Sequence, residues 1–448
     1  MRNKIRIILA LAAAAIMLAG CVLPGIAGAA KQAGEVRKDP SLDMDFSFIR
    51  VLISTGDSSK IELDLVGEYR IGTTALNGTE SSPKLIRVSA SSGGVKITDR
   101  SSGYEITSGT SVELIRLHDN YEAGYAQLTL SGNSDTQDRY YLGSFRFYAE
   151  SGHVRMINTV HLAYYIYGIV GYELSTSSQP EALKAQAVAA KTMGMYYMGG
   201  DGDWDVKDGW TSAVYQAYRG FRENRLVTMP YCIAVIGEAL SYNGSIIPIF
   251  YAHTNGGETS LPSTVFGSSL SRYDGAYAVS LDDIEINDYP SYKETVSVDF
   301  GGTGDNSRFL DFILGKARAA GMVSNRVVSI DDLYAYDAYP GTQRDMRKLY
   351  VEATLEVSGE DGEPQNVPFV IDCASNELRS LVLSDYDGSG DNYSTYKYAI
   401  KKNLKLYWGT AREGGYTLIA ARYGHGVGMS QIGADLRANP DTYGWDYR

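Results

Sequence analysis

The chain has 448 residues, a length that suits two or three domains rather than one. Hydrophobic residues make up 44% and charged residues 21%, which excludes a disordered chain and fits a globular one. A net charge of −12, with no Lys/Arg-rich tract to neutralise phosphates, argues against nucleic-acid binding. Tyrosine is the outlier, at 35 residues against 12 prolines. Its flat apolar face and polar tip suit stacking on sugars, and aromatic rings are equally at home in strands.

The first thirty residues read as a targeting segment. Arg2, Lys4 and Arg6 precede an almost unbroken apolar run from Ile7 to Leu23, and Pro24 and Ala27-Gly28-Ala29 follow as at a signal-peptide cleavage site. Two other readings stay open. Leu18-Ala19-Gly20-Cys21 resembles the lipobox of bacterial lipoproteins, which would make Cys21 the lipidated residue, although apolar residues continue past it. The third is a retained membrane anchor. All three put the body of the protein outside the cytoplasm, with the membrane involved only through this segment. Residues 31–45 read as a linker. Cys232 and Cys373, the cysteines of the body, could pair or stay as buried thiols.

From Phe46 to about Glu150 the pattern is that of strands. Phe48–Ile53 and Lys60–Leu65 alternate apolar and polar residues, and Asn77-Gly78, Ser92-Gly93-Gly94 and Ser131-Gly132-Asn133 read as turns. No paired carboxylates and no histidine cluster occur here, so this is a β-rich accessory region.

The texture changes at Asn158. Leu162, Tyr165, Ile166, Ile169 and Val170 fall on one face of a helix. In a second helix Ser178 and Glu181 have capping-box spacing, Pro180 sits in the first turn, Ala182–Met198 are strong helix formers, and Gly199-Gly200 stops the run. Farther on, Ala239–Tyr251 reads as a hairpin turning at Asn243-Gly244, and Ser307–Ala320 as a helix. Leu349–Val357 and Val367–Cys373 read as strands, and a short helix starts near Ser430. The sum is an α+β protein. A β-rich region over 46–150 precedes, over 151–448, a mixed core with an Ala-rich helix pair and a strand-rich C-terminal part.

Four segments could carry chemistry. Glu173 lies eleven residues past Leu162, about 20° away on the helical wheel, and so falls on the apolar stripe. An acid there has its proton-bound form favoured, as a general acid near neutral pH requires. The plainer reading is a helix-terminal Glu paired with a lysine such as Lys184, with Gly168 and Gly171 ending the helix early. On the second helix Lys184, Val188 and Lys191 share one face, and the lysines either meet a ligand or are merely solvated. His253-Thr254-Asn255-Gly256-Gly257-Glu258-Thr259 sets hydrogen-bonding side chains beside glycines, as in a close-approach loop or a tight turn. Gly424-His425-Gly426-Val427-Gly428-Met429-Ser430-Gln431 has three glycines around one histidine ahead of a helix, without the Lys-Ser/Thr of a P-loop. Histidines number five and do not cluster in sequence, so neither a metal nor another cofactor is expected. No nucleophile elbow is present.

These segments resemble one family in order and spacing. Leu162-x-x-Tyr165-x-x-Gly168-Ile169-Val170-x-x-Glu173, the run from Glu181 to Ala190, Gln216-x-Tyr218-x-Gly220, His253–Thr259, and the glycine-rich run continued to Gly433-Ala434 resemble motifs of the sporulation protein D / amidase-enhancer family. The resemblance covers about Phe46 to Ala438. It implies lytic transglycosylation of peptide-free peptidoglycan glycan strands to 1,6-anhydro-muramic ends, with Glu173 as acid and then base. One carboxylate suffices, unlike the paired carboxylates of ordinary hydrolases. The same matching implies that Lys184, Gln186, Lys191, His253, Thr254, His425 and Gln431 shape the glycan groove. A cell-wall amidase is the implied partner, and the family's other role is that of a wall-binding amidase enhancer without chemistry of its own. Relatives usually carry an acid where Ala163 stands, have Arg-Thr-Tyr in place of Lys191-Thr192-Met193, and continue past the final helix, so a C-terminal tail is expected to be missing. Some bind zinc through His and Cys, but no Cys lies near His253.

Overall fold

A computed structural model describes residues 48–118, 124–129, 139–208, 216–220, 227–255, 257–281, 283, 294–299, 307–338, 340, 342, 346–359, 361–374, 406–412, 414–420 and 425–448. The segment read as a targeting signal with Cys21, the stretch read as a linker, the expected turn at Ser131-Gly132-Asn133, Gly256 and Gly424 fall outside these residues. Among the described residues no helix is long and apolar enough to cross a membrane. The chain divides into two compact units, one running to Pro248 and taking in Asp446–Arg448, the other spanning Ile249–Trp445. The strand-rich stretch and the helix pair belong to one unit.

The first unit begins with β1 (Phe48–Ile53), β2 (Lys60–Leu65), β3 (Gly67–Ile71), β4 (Thr74–Gly78), β5 (Lys84–Ser91) and β6 (Gly94–Asp99). It continues with β7 (Glu105–Gly109), β8 (Ser111–Arg116), β9 (Ala126–Thr129), β10 (Arg139–Tyr141), β11 (Ser144–Glu150) and β12 (His153–His161), and the later β13 (Val206–Lys207) joins them. Two sheets result, in the orders β13-β1-β12-β11-β8-β3-β4 and β10-β9-β2-β5-β6-β7. Alternation decides which face each strand buries: Ile49, Val51 and Ile53 of β1, and Ile61, Leu63 and Leu65 of β2, are almost wholly enclosed. Each such side chain contributes about 1.5–3 kcal/mol on leaving water. Asn77 and Gly78 are not a turn. They end β4, and the reversal comes at the Thr79–Ser82 bridge that follows.

β12 runs to His161, three residues beyond the change of texture at Asn158, and leads straight into α1 (Leu162–Glu173). The His161 ring caps that helix by accepting from Ala163 N at 3.2 Å. Neither Gly168 nor Gly171 ends it. α2 (Pro180–Tyr197) starts after Gln179 with proline in its first turn and no side-chain cap. The expected Ser178/Glu181 capping box does not form: Glu181 instead pairs with Lys184, Oε1 to Nζ 2.6 Å. α3 (Met229–Ala234) packs against both α1 and α2. The expected hairpin is reduced to β14 (Ser241–Tyr242) and β15 (Ser245–Ile246) around a turn in which Asn243 and Gly244 both have positive φ.

In the second unit β16 (Tyr251–Ala252) precedes a short α4 (Pro262–Phe266). β17 (Glu294–Asp299) is followed by α5 (Ser307–Ala319), whose Phe309, Ile313 and Ala317 pack on an antiparallel sheet. That sheet is β18 (Ser324–Ala338), β19 (Met346–Ser358) and β20 (Pro364–Ala374). β21 (Leu406–Arg412) and β22 (Gly415–Ala420) form a sheet with β17. β23 (Met429–Ser430) pairs in parallel with β16, and α6 (Gln431–Ala438) follows it. Cys232 is buried in the first unit and Cys373 in the core of the second.

Candidate functional site

Glu173 is the last residue of α1 and is half-buried. Its Oε1 accepts a hydrogen bond from Ala217 N at 3.2 Å. Ala217 belongs to a strap whose described residues are 216–220, and its neighbours there explain why the signature of α1 has its spacing. The Tyr165 hydroxyl donates to Gln216 Oε1 at 2.5 Å, while Gln216 Nε2 donates to the Ala190 carbonyl of α2 at 3.1 Å. The Tyr218 ring lies on α1 where Gly168 leaves room: a Cβ at Gly168 would come within 2.6 Å of that ring. The Tyr218 hydroxyl donates to Asn158 Oδ1 at 2.9 Å, and the Asn158 amide donates to the carbonyls of Leu142 and Ser144. At Gly220 (φ 73°) a side chain would strike the Tyr140 carbonyl. Leu162, Tyr165, Gly168 and Glu173 are thus spaced so that one face of α1 meets α2 and the strap together.

Charge secures the strap from beneath. Asp208 is fully buried, and its Oδ1 accepts from Ser54 N at 2.5 Å and Ser54 Oγ at 2.6 Å. Its Oδ2 lies 3.5 Å from Arg139 and 3.8 Å from Arg219. Burial pushes the Asp208 carboxyl above its ordinary pKa, against the pull of the Ser54 hydrogen bond and the two guanidiniums. Arg219 also donates to the Asp208 carbonyl at 3.1 Å and lies 5.2 Å over the Tyr172 ring, next to Glu173. Tyr165 is pushed well above the ordinary tyrosine value, first by burial and then by Tyr218 and Glu173 nearby.

The expected groove residues of the first unit have different surroundings. Lys184 is half-buried between Glu181 and the Tyr447 ring, 5.5 Å from its centroid. Gln186 is fully enclosed. Lys191 turns inward and donates to the Ile236 carbonyl, and burial pulls its ammonium below the ordinary lysine pKa.

His253, Thr254, His425 and Gln431 belong to the second unit, where a different set of bonds assembles them. Ser260 N donates to Gly426 O at 2.8 Å, Met429 N to Phe250 O at 3.1 Å and Ile432 N to His253 O at 3.1 Å. Gly428 (φ 74°) presses on Phe250, whose carbonyl any Cβ there would overlap. Val427 N donates to His425 Nδ1 at 3.1 Å, and the ring packs edge-on to Phe266 at 5.1 Å. Ser430 caps α6 by accepting from Gly433 N at 2.9 Å. Gln431 is buried, whereas His253 as a residue is exposed. Among the described residues no group of three or more His, Cys, Asp or Glu is gathered as metal ligands.

The carboxylate of α1, the Ala-rich α2 and the strap define an α+β protein whose candidate site is borne by a helix pair. Residues 150–238, which hold all three, match the family model described as SpoIID, Stage II sporulation protein. The chain is 27% identical over 295 residues to an amidase enhancer of Bacillus subtilis, an alignment covering 62% of this chain and 38% of the relative. It is 28% identical over 142 residues to an uncharacterised protein of Brachyspira hyodysenteriae, covering 30% of this chain and 39% of that protein. The chain thus spans about two fifths of the length of each of these relatives.

Asn158, Arg139 and Asp208 support the site from outside its sequence motifs. No local signal marks them, because each acts on residues distant along the chain. Gln216 and Tyr218 stand out only through the resemblance.

Proposed function

We propose that the chain is an exported cell-wall protein that cleaves peptide-free peptidoglycan glycan strands by lytic transglycosylation. The observation that carries this reading is Glu173, a helix-terminal carboxyl held on one oxygen by the Ala217 N–H. In the reaction the Glu173 carboxylic acid gives its proton to the glycosidic oxygen as the bond to the muramic anomeric carbon breaks. The bond electrons leave with that oxygen, which becomes a hydroxyl. The Glu173 carboxylate then takes the proton of the muramic C6 hydroxyl while O6 bonds to the anomeric carbon, closing the 1,6-anhydro ring. The nucleophile belongs to the substrate, so the second carboxyl of a hydrolase has no task here. Lys184, half-buried at the surface of α2, is the groove residue of the first unit. Gln186 and Lys191 act from inside by seating α2. His253, Thr254 and His425 are the glycan contacts proposed for the second unit, with Gln431 supporting them.

The name of the Bacillus subtilis relative favours a second reading, a wall-binding enhancer of an N-acetylmuramoyl-L-alanine amidase. One experiment separates the two. The purified protein is incubated with peptide-free glycan strands alone, and separately with intact wall plus an amidase. Anhydro-muramic products from the strands alone support the enzyme. Intact strands with accelerated amidase release support the enhancer and reject the enzyme.

A further inference from the structure

Gln216 has no part in the chemistry above, yet it is fully buried and its amide is committed at both ends. Oε1 accepts from the Tyr165 hydroxyl of α1 and Nε2 donates to the Ala190 carbonyl of α2, so one side chain spans the two helices. Two residues on, Tyr218 is anchored independently through Gly168 and Asn158. Ala217 therefore lies between two fixed points, and its N–H has a fixed direction, which is toward Glu173 Oε1. An amide N–H only donates, so the oxygen it meets must accept. The carbonyl oxygen of a carboxylic acid accepts better than its hydroxyl oxygen, so when Glu173 is in its acid form an N–H on Oε1 favours the proton on the other oxygen.

We propose that Gln216 is the positioning residue of Glu173: by fixing the Ala217 N–H on Oε1 it assigns the transferable proton to Oε2. The proposal rests on the reading of Glu173 as the acid. It adds a division of labour between the two oxygens, one held by the strap and one working. It also makes the Tyr165 hydroxyl a remote support, acting on Glu173 only through Gln216.

The test follows the Ala217 amide proton by NMR in the full-length protein. In the wild type this resonance moves with pH as Glu173 gains its proton, and the movement vanishes in Glu173→Gln. In Gln216→Met, which keeps length and loses both amide bonds, the movement is lost, and kcat falls about tenfold with KM nearly unchanged. Tyr165→Phe deletes a single oxygen and weakens the movement in the same direction, which decides the matter if Gln216→Met does not fold. An Ala217 amide that follows Glu173 in these variants as it does in the wild type overturns the proposal. Coupling lost in the variants of a protein that makes no anhydro products upholds the positioning role and overturns the transglycosylase reading instead.

Discussion

Gly168→Ala puts one methyl group where α1 meets the Tyr218 ring, and its effect can be worked from the contacts. In an exposed helix the change would stabilise by about 1 kcal/mol through helix propensity. Here the new Cβ would come within 2.6 Å of the ring and 3.1 Å of the Gly220 carbonyl. The ring cannot turn away: it is enclosed, 5.2 Å from Tyr165 and 5.7 Å from Tyr141, and its hydroxyl is tied to Asn158. A 2.6 Å approach to a ring that cannot yield puts the overpacking at about 2–3 kcal/mol, the upper part of its usual range, so after about 1 kcal/mol of gained helix propensity the net loss is about 1–2 kcal/mol. For a unit of this size that lowers the melting temperature by about 2–8 °C. The control is Gly315→Ala in α5, an exposed helical glycine with nothing within 4 Å of its would-be Cβ. There the same substitution should raise stability by about 0.5–1 kcal/mol. Calorimetry of the two full-length variants against the wild type reads both. A Gly168→Ala protein that melts as high as the wild type, or higher, would refute the claim that glycine at 168 is there for Tyr218.

Other outcomes follow from the same contacts. Ser430→Ala removes the cap of α6 and should cost the second unit about 1 kcal/mol, seen as a lower transition in the same calorimetry. Asp99 is held at about 2 by the Lys84 ammonium first and by the Ser102 and Ser101 amides. Its folded pKa lies below the ordinary carboxylate value, so its stabilising contribution is complete above about 4 and fades as pH falls towards 2. In Lys84→Met the Asp99 side-chain carbon signal should titrate at higher pH, and an unmoved titration would count against the pair. The Cys232 thiol is pushed up to about 12 by burial, so iodoacetamide at pH 8 should leave it unmodified in the native protein and label it once the chain is unfolded. Native labelling as fast as for an exposed thiol would contradict the packing of α3.

What the sequence reveals of this fold tracks how local each cause is. β1 and β2 start and stop where the alternation does, because one buried face suffices to define them. α1 and α2 are equally plain, since an apolar stripe and a run of good helix formers act within a few turns. The capping box failed because capping spacing says nothing about competitors: Glu181 has Lys184 within reach, and its other oxygen receives the Tyr447 N–H at 3.3 Å. β18 carries no such local signal, for a different reason. Its register slips between Ser324 and Arg326, between Val327 and Ser329, and between Ile330 and Asp332. Val327, Ile330 and Leu333 are buried at intervals of three, a spacing that hides a strand from a search for alternation. At the candidate site the helical wheel places Glu173 on the apolar stripe. Its setting is not legible there, because Gln216 meets Tyr165 across 51 residues and Tyr218 meets Asn158 across 60.

The central claim is that Glu173 moves the proton, and Glu173→Gln tests it most directly. Glutamine keeps a carbonyl oxygen for the Ala217 N–H, so the strap should stay in place while the transferable proton is gone. Wild type and variant are incubated with peptide-free glycan strands, and the products are read by mass spectrometry. The account predicts anhydro-muramic ends from the wild type and a fall of about 10²-fold or more in the variant, with glycan binding retained. Equal yields of the same products from both proteins, or binding without cleavage by either, would contradict it.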